Sequence, residues 1–176
     1  MNQKLLRLTN ALFFYIIWWG CILGVKLGYN YLGGALTFLF IIIHFKIIPN
    51  PKQEIKLLLA CATLGITLES IHLHSHFLSY HGYIFNNTFF PPIWIICMWV
   101  AFGSTLNHSM FWMKRRWNVM IISGVVFGPF SYIAGVKLGV ISFNFPYGFS
   151  IFVLAIIWGL SIPLMYFLNN IFYKNN

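Results

Sequence analysis

Apolar residues run along the chain in long blocks separated by short polar or basic breaks. A block of about 18 or more apolar residues is long enough for a helix to cross the hydrocarbon core of a bilayer. On that criterion the first span runs from about Leu8 to Val25 and the second from about Tyr31 to Ile48. Pro49-Asn50-Pro51 breaks the chain, and a third span follows from about Ile55 to His72. A polar, aromatic-rich connection occupies Leu73 to Phe90. Pro91-Pro92 then opens a fourth span that ends near Met113. Lys114-Arg115-Arg116 forms a basic turn before a fifth span, about Trp117 to Leu138, and a sixth, about Phe149 to Tyr173. The expected fold is all-α: an integral membrane bundle of about six transmembrane helices, forming a single domain over residues 1–176.

Composition supports this reading. Of the 176 residues, 60% are hydrophobic and 7% charged, whereas soluble domains carry about 25% charged residues. There is no Asp, and Glu54 and Glu69 are the two acids. The net charge of +9 raises the question of nucleic acid, but the basic residues sit at the edges of apolar blocks rather than on one continuous face. Positive charge in that position orients helices in a membrane, so no nucleic-acid partner is expected. With the N-terminus inside, Lys4, Arg7, Lys46, Lys52, Lys56, Lys114, Arg115, Arg116 and Lys174 fall on the cytoplasmic side and only Lys26 and Lys137 outside. That bias predicts cytoplasmic N- and C-termini. The first block lacks a small-residue cleavage site and reads as a retained helix rather than a signal peptide.

One short segment recurs. Gly24-Val25-Lys26-Leu27-Gly28 returns as Gly135-Val136-Lys137-Leu138-Gly139 at the outer ends of the first and fifth spans. It suggests either an old duplication or a recurring helix end. Gly20, Gly24 and Gly28 are spaced by four, as are Gly124 and Gly128. Small residues at that spacing let helix backbones approach closely, so the first and fifth helices are expected to be central. Gly128-Pro129 is a candidate break in the fifth helix, of the kind found in transporters.

Polar groups in hydrocarbon are costly, which makes each one a candidate for function. Glu69 is the only acid inside an expected span, about 20 Å up the third helix from Lys56. His72 follows after three residues and His76 after seven, so all three share a face if the helix persists. Glu-x-x-His and paired His residues bind metals in some helix bundles, which makes His72 and His76 candidate metal ligands. By rise per residue, Tyr132, Ser131 and Ser161 reach a similar depth and are able to line one outer pocket with Glu69. Glu69, His72 and Tyr132 are thus the candidate catalytic set, and Ser131 and Ser161 candidate substrate contacts. If the pair works in acid–base chemistry, Glu69→Gln should abolish activity and leave stability unchanged or raised. The alternative is that Glu69 is protonated or paired with His72, and that the histidines sit in the wet headgroup zone.

Asn107, His108, Ser104 and Thr63 form an inner polar layer. It reads as interhelical hydrogen bonding, with no acid expected at that depth. Lys26 and Lys137 present two cations at the outer interface, suited to a lipid phosphate or carboxylate, or to simple snorkelling. Trp94, Trp112 and Trp117 read as interface anchors. Trp18, Trp19, Trp99 and Trp158 read as packing residues. Cys21, Cys61 and Cys97 lie inside apolar blocks and read as small core residues. Asn86-Asn87-Thr88 fits a glycosylation sequon in an external loop. No cofactor-binding loop, nucleophile elbow or paired carboxylate site is present as a motif.

The runs Pro91-Pro92-Ile93-Trp94, Trp99-Val100-Ala101-Phe102 and Gly128-Pro129-Phe130-Ser131-Tyr132-Ile133-Ala134-Gly135-Val136-Lys137-Leu138-Gly139 resemble a family of small bacterial inner-membrane proteins known only as a domain of unknown function. The resemblance covers most of the chain and carries no established catalytic residues. Members of such a family often lie beside genes for fatty-acid or lipid modification, so the resemblance implies membrane lipids as partners and work on lipid or acyl chains. The competing class is a small transporter, or an accessory subunit serving a membrane-protein partner.

Overall fold

The computed structural model describes residues 3–85 and 89–174, and the sequon at Asn86-Asn87-Thr88 lies outside them. The apolar blocks form six α-helices: α1 (Gln3–Lys26), α2 (Leu32–Ile47), α3 (Pro51–His74), α4 (Ile93–Gly103), α5 (Trp117–Lys137) and α6 (Tyr147–Lys174). Four of them, α1, α3, α5 and α6, are long and apolar enough to cross a membrane. The helices α2, with 16 residues, and α4, with 11, are shorter. Two three-residue strands, β1 (Leu78–Tyr80) and β2 (Ile141–Phe143), pair antiparallel with Tyr80 opposite Ile141. The apolar-block pattern contains no sign of them.

The partition of side chains is inverted relative to a water-soluble protein. Leu8, Phe38, Phe127 and Leu160 are at least 60% exposed, whereas Glu69, Ser150 and Asn169 are fully buried. Apolar surface on this scale is stable only against lipid or a partner. Since lipid is as apolar as leucine, helix association here rests on close packing and on interhelical hydrogen bonds.

The fourth block departs from its expected length. Helix α4 stops at Gly103 rather than near Met113. The hydroxyls of Ser104 and Thr105 donate to the carbonyls of Ala101 and Phe102 at 2.7 and 2.6 Å, competing with the helical ladder. The main chain then turns, with the Thr105 and His108 amides bonding three residues back. Asn10 of α1 holds the turn: its amide donates to the Ser104 carbonyl at 3.2 Å and its Oδ1 accepts from the Ser109 hydroxyl at 2.7 Å. Such irregular backbone survives at membrane depth only when its polar groups find partners in this way. Conversely, Gly128-Pro129 does not break α5, which runs through Pro129 without interruption.

The glycine stripes serve neighbouring helices rather than a centre. Gly20 and Gly24 abut Leu36 and Leu32 of α2, and Gly124 and Gly128 abut Trp158 of α6. A Cβ at Gly124 would lie 2.2 Å from the Trp158 carbonyl oxygen. This makes α1–α2 and α5–α6 tight hairpins, whereas α3 and α4 form the centre, α3 packing on α4 and α6, and α4 on α1 and α2. The recurring pentapeptide proves to be one helix cap used twice. Gly28 (φ +83°) and Gly139 (φ +78°) take the left-handed conformation that an L side chain resists. The following amides, of Tyr29 and Val140, close on the carbonyls of Gly24 and Gly135 at 2.7 and 3.0 Å.

Candidate functional site

Both acids of the chain lie on α3, 15 residues and about 22 Å apart along its axis, and both are buried. Each anchors a polar cluster at one end of the bundle.

Glu69 sits in the last turns of α3, under the β1–β2 ribbon. Its carboxylate accepts from four donors on four elements. The Tyr132 hydroxyl of α5 and the Trp99 indole of α4 (2.8 Å) donate to Oε1. The Tyr80 hydroxyl of β1 (2.5 Å) and the His72 Nδ1 (3.3 Å) approach Oε2. Trp99 is fixed in turn by stacking on Trp158 of α6, centroids 4.7 Å apart. Gly65 makes the approach of Trp99 possible, because a Cβ there would lie 2.4 Å from its ring. Burial, and then the neighbouring negative charge of Glu69, hold the Tyr80 hydroxyl well above the usual tyrosine range, so it stays a donor. The sequence placed Glu69, His72 and Tyr132 together by depth, and they do meet. It missed Tyr80, read as part of a loop, and the donor role of Trp99.

The other residues singled out from the sequence lie elsewhere. Helix α3 ends at His74, so His76 does not share its face with His72. His76 is exposed, with a left-handed backbone at φ +53°, and a His72–His76 metal pair loses its geometric basis. The hydroxyls of Ser131 and Ser161 bond back to their own helices, at Gly128 and Ile157. Lys26 and Lys137 are exposed in the last turns of α1 and α5. Trp94 is not an interface anchor: it is buried and donates to the His81 carbonyl at 2.8 Å.

The second cluster surrounds Glu54, in the first turn of α3. His44 Nε2 of α2 lies 3.1 Å from Oε1, and His108 Nε2 lies 3.3 Å from the same oxygen. The His44 contact is a hydrogen bond. His108 Nε2 makes none, because it is poorly aligned, although it is buried. Tyr173 donates to Oε2 at 2.7 Å and Asn107 at 3.3 Å, and Asn107 is locked by two mutual bonds with Asn169 of α6. The inner polar layer therefore does have an acid. A signal for it exists: the Pro49-Asn50-Pro51 turn brings His44, a few residues before it, level with Glu54, a few residues after.

Beside this cluster two cavities open to the surface. A cavity of about 180 Å³ is lined by Glu54, Asn107, His108, Lys114 and Tyr173 among others. A larger one of about 430 Å³ adjoins it through His108, Asn107 and Phe111 and reaches Leu6, Arg7 and Ile47. Arg7 and Lys114 both lie over the Phe111 ring, at 5.3 and 5.6 Å.

These features define an all-α protein of apolar helices fit to cross a membrane, with buried carboxylate clusters near both ends of its central helix. The chain belongs to the family described as Protein of unknown function (DUF2878), which matches residues 7–164. No curated protein and no solved structure matches it.

Proposed function

We propose that the chain is a one-domain inner-membrane protein whose six helices all lie within the bilayer, with its N- and C-terminal ends on the cytoplasmic side. Its proposed work is to bind and handle lipid or acyl chains at the cytoplasmic cavity. The observation that carries this reading is the lining of that cavity. Leu6, Ile47, Pro49 and Phe111 are apolar, whereas Arg7, Asn107 and His108 are polar or charged. A mixed lining of this kind suits an amphiphile whose anionic head meets Arg7 and whose chain lies against Leu6 and Phe111. The basic residues gather at this same end, as expected of the cytoplasmic face.

A second reading places chemistry at the outer cluster, with Glu69, His72 and Tyr132 as acid–base groups and Lys26, Lys137, Ser131 and Ser161 near the substrate. The buried, unpartnered Nε2 of His72 favours it. The four donors that already fill the Glu69 carboxylate weigh against it. Transport is weakened by the unbroken α5.

Lipid profiling of a deletion strain tests the function. A changed acyl or headgroup composition, restored by the wild-type gene and by Glu69→Gln but not by Arg7→Glu, supports the cytoplasmic cavity. Loss of rescue with Glu69→Gln, while the variant accumulates to the wild-type level, supports the outer site. An unchanged profile with altered solute sensitivity overturns the lipid reading. A cytoplasm-specific reporter fused after Lys174 is expected to be active, and silence there would overturn the orientation.

A further inference from the structure

We propose that His44, Glu54 and His108 form a binding site for a divalent cation of the zinc class, with an open coordination position facing the adjoining cavities. The site is distinct from the His72–His76 pair suggested by the sequence and does not depend on the lipid reading.

Three observations converge. First, one ligand atom from each of the three residues lies within 4.8 Å of the other two, and all three residues are buried. They come from α2, α3 and the turn after α4, so the fold rather than one helix assembles them. Second, His108 is 7% exposed and its Nε2, 3.3 Å from Glu54 Oε1, has no aligned hydrogen bond. The two rings stand at 89° with centroids 5.0 Å apart, and their Nε2 atoms lie 3.1 and 3.3 Å from the same oxygen, Oε1. Third, the carboxylate is oriented from behind. Tyr173 and Asn107 hold Oε2, and Asn169 holds Asn107, leaving Oε1 toward the histidines. Outer partners of this kind fix ligands in metal sites.

The donor set selects the ion. Two imidazoles and one carboxylate suit zinc and its neighbours, whereas magnesium and calcium prefer oxygen ligands throughout. Three protein ligands leave a fourth position of a tetrahedron free, which is the pattern of reactive rather than structural zinc sites. The cavity of about 180 Å³ that Glu54 and His108 line supplies room for a fourth ligand and a way in. Arg7 and Lys114, the cations lining these cavities, are both held over Phe111.

The test uses the full chain in detergent, with any purification tag removed, stripped with chelator and then given Co²⁺ alone. About one equivalent is expected to bind, with the strong visible bands of four-coordinate cobalt, and Zn²⁺ should abolish them. His44→Ala and His108→Gln should each weaken binding by more than the roughly 10–100-fold that loss of a supporting group costs, and Asn107→Ala by about that supporting-group amount. His72→Ala and His76→Ala should bind as the wild type does. The proposal is overturned if the folded wild-type protein takes up no stoichiometric Co²⁺ or Zn²⁺. It is equally overturned if binding survives both His44→Ala and His108→Gln, or disappears with His72→Ala or His76→Ala. The wild-type result stands whether or not any variant folds, and because no lipid enters the assay, its failure is separate from that of the lipid reading.

Discussion

Glu54 and Glu69 are the same residue on the same helix, equally buried and each beside a histidine, yet their surroundings differ in kind. Glu69 is saturated, with donors from α3, β1, α4 and α5 converging on its two oxygens. Glu54 takes hydrogen bonds from His44, Asn107 and Tyr173, with His108 3.3 Å away and misaligned and a cavity at its side. Burial and pairing alone therefore do not separate a structural carboxylate from a working one. The difference lies in access: a cavity adjoins Glu54 and His108, whereas Glu69 is closed in by donors from four elements.

The comparison is most sharply broken through stability. Glu69→Ala strands four buried donors and is expected to cost about 3–5 kcal/mol, enough to lower the unfolding midpoint in detergent severely. Glu54→Ala should cost less, because its cavity admits water to the groups left behind. Equal losses would erase the distinction. Because four donors meet the carboxylate, Glu69→Gln also loses stability: the amide nitrogen faces a donor, at about 1–3 kcal/mol. That reverses the expectation drawn from the sequence, in which removing a buried charge was neutral or favourable.

Next in size is Trp99→Phe, which keeps a ring against Trp158 but removes one donor to a charged acceptor, at about 1.5–3 kcal/mol. A loss near zero, measured by denaturation in mixed detergent, would mean that the indole contact does not matter. Gly65→Ala should follow at about 1–3 kcal/mol, because its Cβ would press the Trp99 ring. Gly34→Ala is the control: the nearest atom to its Cβ is 4.0 Å away, and its midpoint should not move. The smallest effect is expected for Lys26→Gln with Lys137→Gln, within about 0.5 kcal/mol for folding. If these lysines grip an anionic headgroup, the double variant retains less anionic lipid on purification than Lys52→Gln with Lys56→Gln. Equal loss would leave only general surface attraction, about 1 kcal/mol per charge.

The long spans could be read from the sequence because block length and hydropathy are properties of composition, and α1, α3, α5 and α6 carry that signal strongly. The end of α4 could not, because it depends on Ser104, Thr105 and an asparagine 94 residues away on α1. Depth arithmetic brought Tyr132 to Glu69 because both lie in regular helix, where rise per residue is constant. Ser131 and Ser161, at similar depth, bond to their own helices instead, His76 lies beyond the helix end, and Tyr80 is placed by a strand pairing with no local signature. Glu54 falls just before the third apolar block, which opens near Ile55, so Glu69 is the only acid read as lying within a span. Its neighbours hide it, and those neighbours are set by the turn at Pro49-Asn50-Pro51 and by a loop more than 50 residues on.

The arrangement around Glu69 also has a chronology. A chain made from its N-terminus delivers Glu69 and His72 first, then Tyr80, then Trp99, and only with α5 does Tyr132 arrive. Until α5 is made, the acid on α3 lacks its Tyr132 partner. The cluster closes when the fifth helix docks, and its Trp99 is braced only when α6 brings Trp158. A chain cut short after α4 therefore holds three of the four donors to Glu69 but lacks both the Tyr132 hydroxyl and the ring that braces Trp99.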